Sequence, residues 1–498
     1  MSESANPVSS NVARSAALSI LRTLRAHGHQ AYLAGGCVRD LLLGRSPKDY
    51  DVATSAEPSV VLDLFPRTFA VGAHFGVVLV STKNASEDDG QPTLTEVATF
   101  RSDGAYSDGR HPDAVRYTKS PEEDVQRRDF TINGLLLDLN LASDPGAPGL
   151  ESETWDPLPG APHLDFEMWD SQTACPHILD YVHGLADLEL GLIRAIGNPL
   201  RRFEEDRLRM LRAIRFAARF QFQIDPATFA AIRALAPRIH DVSRERVRDE
   251  LTRMLTEGQA RRAFELLDDS GLLVQVLPEA AKLKGVQQPP QYHPEGDVWT
   301  HTLMLLENLE PGCSPTLAWG ALLHDIGKPA TYTPPSSPED RIRFNGHVEV
   351  GVAIAAEILR RLRFSNDDTA QILALVQNHM RFGDVHRMKT ATLKRFLRLD
   401  RFPEHLALHR MDSLASHGSL DNYHLARQQF ESTPEQEVRP TPLLTGQDLI
   451  RLGYAPGPKF KTILHTVEEA QLEGSIHTPE EALILVRTQF PQTPNQHL

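Results

Sequence analysis

Hydrophobic and polar positions change their period along the chain, and the change separates two kinds of structure. Residues 12–28 have the spacing of an amphipathic helix, and short β-rich runs follow to about residue 140, among them "AYLAGG", "FGVVLVST" and "TLTEVATF". From about residue 184 onward nearly every segment has helical periodicity, most clearly "DRLRMLRAIRFAARF". Strands confined to the first third predict an α+β protein in which a head with a small mixed β-sheet precedes an all-α body.

Segments rich in proline, glycine and small polar residues interrupt this pattern. Residues 141–178, which include "ASDPGAPGLESETWDPLPGAP", indicate an irregular insert, and "PPQYHPEGD" and "TPPSSPEDR" indicate breaks between later helices. No stretch recurs with a period of roughly 20 to 50 residues. A repeat architecture is therefore not expected.

Composition indicates an ordinary globular protein. The 498 residues exceed what one hydrophobic core supports, and 41% hydrophobic and 24% charged residues are typical of a soluble chain. The start lacks a secretory signal, no run approaches the roughly 18 apolar residues of a membrane helix, and three distant cysteines indicate neither disulfides nor a cysteine zinc site. We expect a cytoplasmic protein with no membrane partner and no obligate protein partner.

Charge is distributed unevenly. The formal net charge of −14 excludes a protein that is basic throughout, yet residues 201–253 contain 13 arginines, no lysine and 8 acidic residues. Such a segment indicates a local surface for phosphate or RNA. Helices with solvated ion pairs are the alternative that composition leaves open.

The stretch "LAGGCVRDLLLGRSPKDYDV", residues 33–52, combines glycines with closely spaced aspartates. On an extended strand Asp49 and Asp51 would point to the same side, where like charges are unfavourable unless a cation lies between them. Gly35 and Gly36 would let backbone N–H groups approach an anion. The stretch predicts a metal and phosphate site, and an Asp-rich solvated turn is the alternative.

Several motifs in order resemble the tRNA nucleotidyltransferase and poly(A) polymerase family of bacterial type. They are "GGCVRDLLLGRSPKDYDV", "RRDFTINGLLLD" and "RFEEDRLRMLRAIRFAARF", and the resemblance spans roughly residues 31–255. It implies a head, neck, body and tail, and transfer of a nucleotide from CTP or ATP to an RNA 3′ end. A non-catalytic RNA-binding protein is hard to reconcile with complete acidic and arginine motifs.

The resemblance also implies site residues. Asp49 and Asp51 would be catalytic and bridge two Mg²⁺ ions, with Glu96 either a third carboxylate or merely an exposed strand residue. The positions expected to hold the triphosphate and ribose are Gly35, Gly36, Arg39, Arg128 and Asp129. The positions expected to bind the nucleotide on the next motif are Glu205, Asp206, Arg209, Arg212 and Arg215.

Choice between CTP and ATP without a nucleic-acid template would rest on one helix. Asp206 and Arg209 are three residues apart, share a helix face, and offer an acceptor and a donor to base edges. On a straight helix Arg215 would lie about 180° from Asp206. Helical periodicity therefore favours a nucleotide-binding role for Arg209 and neither favours nor opposes one for Arg212. For Arg215 only the family resemblance implies that role.

Other features favour one member of the family. Residues 101–117, "RSDGAYSDGRHPDAVRY", resemble the complete flexible loop of enzymes that add CCA, or its terminal A, to tRNA. The Gly-basic-basic-Phe cluster of poly(A) polymerases is replaced by "VGAHFGVV", and the end "PQTPNQHL" has no arginine arm. We expect tRNA, CTP and ATP as partners, with poly(A) synthesis as the alternative.

A second set of residues resembles an HD-type phosphohydrolase domain. The matching core ligands are His301, His324, Asp325 and Asp412, and His347 and His379 resemble the extra histidines of members that bind two metals. The resemblance implies phosphoester hydrolysis, for example of 2′,3′-cyclic phosphates, with a divalent metal such as Ni²⁺, Mn²⁺ or Co²⁺. A degenerate domain that only packs is one alternative, and a chain whose main activity is this hydrolysis is another.

Together these resemblances give expected domain bounds. They are an N-terminal helix at 1–30, a nucleotidyltransferase head at 31–183 with the insert at 141–178, a helical neck and body at 184–285, an all-α HD domain at 290–420 and a helical tail at 421–498.

Overall fold

The computed structural model describes residues 7–72, 76–82, 92–104, 115–139, 177–337 and 339–491. It contains two compact units, Met1–Ala281 with Glu310–Cys313, and Lys282–Leu309 with Ser314–Leu498. Nearly all of the insert expected at 141–178 and residues 105–114 of the expected flexible loop lie outside the described residues.

The first unit contains a small mixed sheet, as the sequence predicts. Its strands, in chain order, are β1 (Ala31–Ala34), β2 (Asp51–Thr54), β3 (Thr68–Gly72), β4 (Val77–Thr82), β5 (Thr93–Thr99), β6 (Arg101–Asp103), β7 (Val115–Tyr117), β8 (Leu136–Asp138), β9 (His177–Leu179), β10 (Leu192–Ile193) and β11 (Gln223–Ile224). Seven of them form one sheet in the order β3-β4-β5-β2-β1-β8-β9. Every pairing in that sheet is antiparallel except β2 with β5, which is parallel.

The sheet is covered by the first helix of the chain. Helix α1 (Pro7–Ala26) packs against β1, β2 and β5, and its buried side chains, Ala17, Ile20, Leu21 and Leu24, recur at helical spacing on one face. In β2 the apolar residues after Asp51 are buried, which leaves the start of the strand as the point where a carboxylate can reach solvent.

Helices make up the rest of the first unit. They are α2 (Gly36–Leu42), α3 (Pro58–Leu64), α4 (Pro121–Gln126), α5 (Gly184–Glu189), α6 (Pro199–Glu205), α7 (Leu208–Phe220), α8 (Pro226–Leu235), α9 (Arg244–Thr256), α10 (Ala260–Asp269), α11 (Leu273–Val276) and α12 (Pro278–Ala281), with 3₁₀ helices at Thr131–Asn133 and Ala236–Asp241. Proline at the first turn and a side-chain cap define several starts: Asn198 accepts from the N–H of Arg201 before α6, and Asp225 does so from Thr228 before α8.

The prediction that one continuous helix carries Glu205, Asp206 and Arg209 is wrong. Helix α6 ends at Glu205, and Asp206 has an extended backbone (φ −144°, ψ 106°) before α7 begins at Leu208. The Asp206 carboxylate accepts from the N–H of Leu208 at 3.1 Å. That bond satisfies one of the free amides at the start of α7 and explains why the chain turns here.

The second unit is helical, which confirms the all-α prediction for this part of the chain. Its helices are α13 (Val298–Glu307), α14 (Pro315–Leu323), α15 (Lys328–Thr331), α16 (His347–Arg361), α17 (Asn366–Asn378), α18 (Thr390–Leu397), α19 (Phe402–Ala415), α20 (Asp421–Ser432), α21 (Glu435–Val438), α22 (Gly446–Arg451), α23 (Pro458–Leu472) and α24 (Pro479–Gln489), with a 3₁₀ helix at His379–Arg387. One apolar cluster surrounds Phe382, Phe396 and Phe402, and another joins α22, α23 and α24. None of the helices in the described ranges is long and apolar enough to cross a membrane.

Candidate functional site

Three carboxylates lie close together in the first unit, where the start of β2 pairs with the middle of β5. The parallel register joins Val52 to Val97, so Asp51 and Glu96, one residue earlier on each strand, are neighbours, and Asp49 lies just before them. Burial, followed by the charges of Glu96 and Asp49, raises the pKa of Asp51 to about 7. Glu96 lies on the exposed side of β5; loss of part of its hydration raises its pKa, and Asp49 adds to that effect against the opposing charge of Arg128. A divalent cation with oxygen ligands would relieve this like-charge contact, so the donor set fits Mg²⁺.

The two glycines lie beside arginines. Gly35 has φ +71°, which favours glycine, and a Cβ there would be 3.2 Å from Nη1 of Arg128. A Cβ on Gly36 would be 3.5 Å from Nη2 of Arg39. The structure thus brings together these four sequence-predicted residues, and the absence of Cβ atoms leaves room for both guanidinium groups.

Asp129 is held by neighbours that keep it ionised. Its Oδ2 accepts from Nε and Nη2 of Arg212 at 2.9 and 2.7 Å, and its Oδ1 accepts from Nδ2 of Asn133 at 3.0 Å. Burial alone would raise the pKa of Asp129, but Arg212 and Asn133 hold that pKa well below its usual range. The preceding Arg128 pairs with Asp124, Nη2 to Oδ2, at 3.0 Å.

The two groups expected to select the base each have a protein partner. Asp206 is paired with Arg246 through two contacts, Nη1–Oδ1 at 3.2 Å and Nη2–Oδ2 at 2.7 Å. Nη1 of Arg209 donates to Oε2 of Glu205 at 2.6 Å. Sequence reasoning missed Arg246, although it lies in the arginine-rich segment.

Arg215 is enclosed by protein carboxylates. Its Nε donates to Oε2 of Glu250 at 2.7 Å, and its Nη1 to Oε2 of Glu257 at 3.2 Å. Only 4% of its side chain is exposed, and its guanidinium lies 4.3 Å from the ring centre of Phe216. These contacts make Arg215 part of the packed interior of the first unit.

The polar contacts around Arg215 close into a ring. We call it the charged ring; in order of contact its members are Asp129, Arg212, Glu250, Arg215, Glu257, Arg219, Asp40, Arg39 and Asn133. Successive members are separated by 2.6 to 4.0 Å. The stacked rings of Phe216 and Phe220 lie among these arginines. The charged ring therefore ties residues of α2 and the Asp129–Asn133 turn to α7 and α9.

In the second unit the six residues predicted as metal ligands converge. Nε2 of His301 lies 3.1 Å from Oδ1 of Asp412 and 3.3 Å from Nε2 of His324. The Nε2 atoms of His347 and His379 are 3.4 Å apart, and each is 3.8 Å from Oδ1 of Asp325. Two candidate metal groups result, one of His301, His324 and Asp412 and one of Asp325, His347 and His379.

The protonation pattern of these histidines fits a bound cation. Nδ1 of His324, His347 and His379 lies 2.7 to 2.9 Å from a backbone carbonyl oxygen three residues earlier, which only accepts. Each Nδ1 therefore carries the proton, and in the neutral ring each Nε2 is an acceptor. Acceptors that face one another need a proton or a metal ion between them. Buried Asp325 supplies negative charge, because Lys328, with Nζ 2.6 Å from its Oδ2, and His324 hold the pKa of Asp325 well below its usual range despite burial.

A third group of donors escaped sequence reasoning. His293 and Glu295 lie in the "PPQYHPEGD" stretch, interpreted above only as a break, and form a further candidate group with His301. The only signal in the sequence is that His293 and Glu295 come shortly before His301. That signal becomes a contact only because the loop folds back onto α13.

Models of three protein families match separate parts of the chain. They are the Poly A polymerase head domain at residues 31–149, the probable RNA and SrmB-binding site of polymerase A at 221–284, and the HD domain at 297–415. The CCA-adding enzyme of Geobacillus sp. strain WCH70 is 29% identical over 94% of this chain and 95% of its own length. Along nearly its whole length the chain is similar to the tRNA nucleotidyltransferase and poly(A) polymerase family.

Closer identities within this family cover shorter regions. The CCA-adding enzyme of Lactobacillus johnsonii is 34% identical over 59% of this chain and 64% of its own length, and that of Geobacillus thermodenitrificans 38% over 51% and 53%. At these identities the chain spans about half to two thirds of its relatives. The crystal structure of the Bacillus stearothermophilus CCA-adding enzyme in complex with CTP matches with a TM-score of 0.65 and 26% identity, covering 95% of this chain and 97% of the other.

These similarities confirm the resemblance and the fold class predicted from the sequence. The roles of the individual site residues and the domain bounds stay predictions.

Proposed function

We propose that the first unit is a nucleotidyltransferase that adds CCA, or its terminal A, to the 3′ end of tRNA from CTP and ATP without a nucleic-acid template. The cluster of Asp49, Asp51 and Glu96 carries the proposal, because three adjacent carboxylates beside Arg128 suit a metal-bound triphosphate. Relatives named CCA-adding enzymes, one of them solved with CTP, support tRNA and nucleotide as substrates. The expected place of action is the cytoplasm.

In this proposal each group has one task. Asp49 and Asp51 would hold two Mg²⁺ ions, and Mg²⁺ supplies charge neutralisation for the attacking 3′ oxygen and the leaving pyrophosphate. Arg39 and Arg128, with backbone N–H groups of Gly35 and Gly36, bind phosphate oxygens. The Asp129 carboxylate would accept a hydrogen bond from a ribose hydroxyl. It would do so while Oδ2 also accepts from Arg212.

Base selection rests on groups that are already oriented. Arg246 holds the carboxylate of Asp206, and Glu205 holds the guanidinium of Arg209, so neither side chain has to be ordered when a base arrives. A cytosine or adenine amine would donate to Asp206, and Arg209 would donate to a ring nitrogen or carbonyl. A wrong base leaves these groups unpaired, which gives strong discrimination.

A single assay tests this proposal. tRNA lacking its 3′ end is incubated with CTP, ATP or both, and the products are sequenced. Addition that stops at CCA supports the proposal, and A alone, added only to tRNA ending in CC, would identify a terminal-A enzyme. Long A-tails on tRNA and on unrelated RNA would favour the poly(A) alternative instead. Asp63→Asn, at an exposed position of α3, is a matched control for Asp49→Asn.

We further propose that the second unit hydrolyses phosphoesters at a metal centre. The observation that favours it is the set of histidine Nε2 acceptors facing one another beside Asp325 and Asp412. His301, His324 and Asp412 would hold one divalent ion, Ni²⁺, Mn²⁺ or Co²⁺ among the candidates, and Asp325, His347 and His379 a second. The ion supplies a nucleophile at neutral pH and Lewis acidity at the phosphoryl group.

The hydrolytic proposal is tested with a 2′,3′-cyclic nucleotide and Mg²⁺, Mn²⁺, Ni²⁺ or Co²⁺. His324→Ala combined with Asp325→Ala should abolish hydrolysis and spare CCA addition, because none of the groups proposed for nucleotide transfer is changed. No hydrolysis by the unaltered protein with any of the four metals would mean that this unit is structural.

A further inference from the structure

The loop before α13 holds a buried side chain, Glu295, and a half-buried one, His293, that the proposed hydrolysis does not use. Oε1 of Glu295 lies 2.8 Å from Nδ1 of His301 and 2.8 Å from Nδ1 of His293. We propose that Glu295 is a positioning residue of the metal centre: it orients His301 and makes its Nε2 a stronger donor to a divalent metal than the other three histidines. This inference rests on the metal centre proposed above for the second unit.

His301 differs from the other three histidines in its orienting partner. His324, His347 and His379 are each anchored by the neutral carbonyl oxygen of a residue three positions earlier. His301 does not use that arrangement: three positions earlier lies Val298, the first residue of α13, and its carbonyl oxygen accepts from Oγ1 of Thr302 at 2.8 Å. A carboxylate from the preceding loop takes the place of the carbonyl, and the other ring nitrogen is left facing Asp412 and His324.

The charge of that partner has a chemical consequence. A carboxylate that accepts the Nδ1 proton increases the electron density of the imidazole and the basicity of Nε2, whereas a carbonyl does so less. The Glu295 side chain is 4% exposed and His301 fully buried, so water weakens this interaction little. His293 donates to the same oxygen and limits the rotation of the carboxylate.

The loop is held so that Glu295 points at the helix. Gly296 has φ +118°, which only glycine adopts readily, and it turns the chain between Glu295 and Asp297. Asp297 then caps α13, with Oδ1 accepting from the N–H of Thr300 at 2.8 Å. Oδ2 of the same aspartate accepts from the N–H of Gly285 at 2.6 Å. The position of Glu295 is therefore fixed by the backbone and does not need the metal.

The test measures Co²⁺ binding to the full chain by calorimetry and visible absorption. Asp49→Asn and Asp51→Asn are present throughout, so that the carboxylates of the first unit do not contribute. Glu295→Gln keeps an oxygen that accepts from His301 but removes the charge, and Glu295→Ala removes both. Glu435→Gln, at an exposed position at the start of α21, is the matched control.

We expect Co²⁺ affinity to fall about tenfold in Glu295→Gln and up to about 100-fold in Glu295→Ala. Glu295→Asp should recover part of the loss, and Glu435→Gln should bind as the parent does. Thermal unfolding of the metal-free proteins separates loss of a positioning contact from loss of the fold. Affinities within about twofold of the parent for both Gln and Ala variants would overturn the role of Glu295. No Co²⁺ binding by the parent would instead overturn the metal centre itself, and the positioning role with it.

Discussion

Replacing Arg215 by methionine should destabilise the first unit and leave nucleotide binding nearly unchanged. Arg215 is the closest cation to Glu250, whose side chain is only 5% exposed. Methionine fills a similar volume against Phe216 but leaves that buried carboxylate without its main partner. Breaking a buried pair in this way typically costs about 3 to 5 kcal/mol, more than the pair is worth against apolar replacements of both members.

The surface offers a matched control. Arg253 also contacts Glu250, at 3.8 Å, but 54% of its side chain is exposed. Exposed pairs contribute about 0 to 1 kcal/mol, so Arg253→Met should change the stability little. Combining Arg215→Met with Glu250→Gln should recover much of the loss, because the uncompensated charge is then removed.

The assay must report on the first unit alone. Trp155 and Trp169 belong to the range of the first unit and Trp299 and Trp319 to the second, so tryptophan fluorescence does not separate the two units. Hydrogen exchange measured in peptides of α7 and α9 reports on the first unit. A loss of 3 to 5 kcal/mol should accelerate their slowest amides by about two to four orders of magnitude, while KM for CTP stays within about threefold where the variant is folded. Unchanged exchange with a large rise in KM would refute this reasoning and identify Arg215 as a direct nucleotide ligand.

Three further predictions concern the carboxylate cluster, the partner of Asp206 and a buried histidine of the second unit. Asp49→Asn or Asp51→Asn should reduce nucleotide incorporation below about a tenth of the parent rate with the fold intact, since each removes a charge from the metal ligands; both variants above that rate would contradict two-metal catalysis. Arg246→Gln should lower CTP/ATP discrimination about tenfold, since Asp206 loses two contacts; sequenced products that stay correct would count against base selection by Asp206. Burial lowers the pKa of His405 to about 4, so its contribution to stability is complete above pH 6.5 and is lost as the pH falls towards 4. Between pH 7.5 and 5 the second unit should lose about 2 kcal/mol more than a His405→Leu variant, measured by urea unfolding followed by the fluorescence of Trp299 and Trp319 in a background that carries Trp155→Phe and Trp169→Phe, and equal losses would refute the assignment.

The closeness of Asp49 and Asp51 could be predicted from a local pattern. The spacing predicted that Asp49 and Asp51 point to the same side of a strand, whereas β2 begins at Asp51 and Asp49 lies just before it. The neighbour that completes the cluster, Glu96, could only be a candidate, because the pairing of β2 with β5 joins residues more than forty positions apart. The sheet register therefore decides what the local motif leaves open.

The break between α6 and α7 shows where helical periodicity misleads. The family resemblance implied one helix through Glu205, Asp206 and Arg209, and the periodic stretch that begins at Asp206 agreed with it. The periodic pattern does not register that an aspartate can cap the next turn, as Asp206 does for Leu208. The ion pair between Arg246 and Asp206 joins α9 to the segment between α6 and α7, so the sequence near Asp206 does not predict it.

The arginine-rich segment shows why a charge count is not a binding surface. Composition indicated either a phosphate footprint or ion pairs, and the structure uses several of these arginines internally: Arg212 on Asp129, Arg215 on Glu250 and Arg246 on Asp206. Protein carboxylates compensate the charge of these arginines. The paired arginines therefore contribute little to long-range attraction, and their contacts instead fix the positions of neighbouring side chains. Attraction of an RNA backbone must then come from the exposed remainder, of which Arg238 and Arg253 are each 54% exposed. The same residue type thus serves two tasks in one segment, and burial decides which of them each arginine performs.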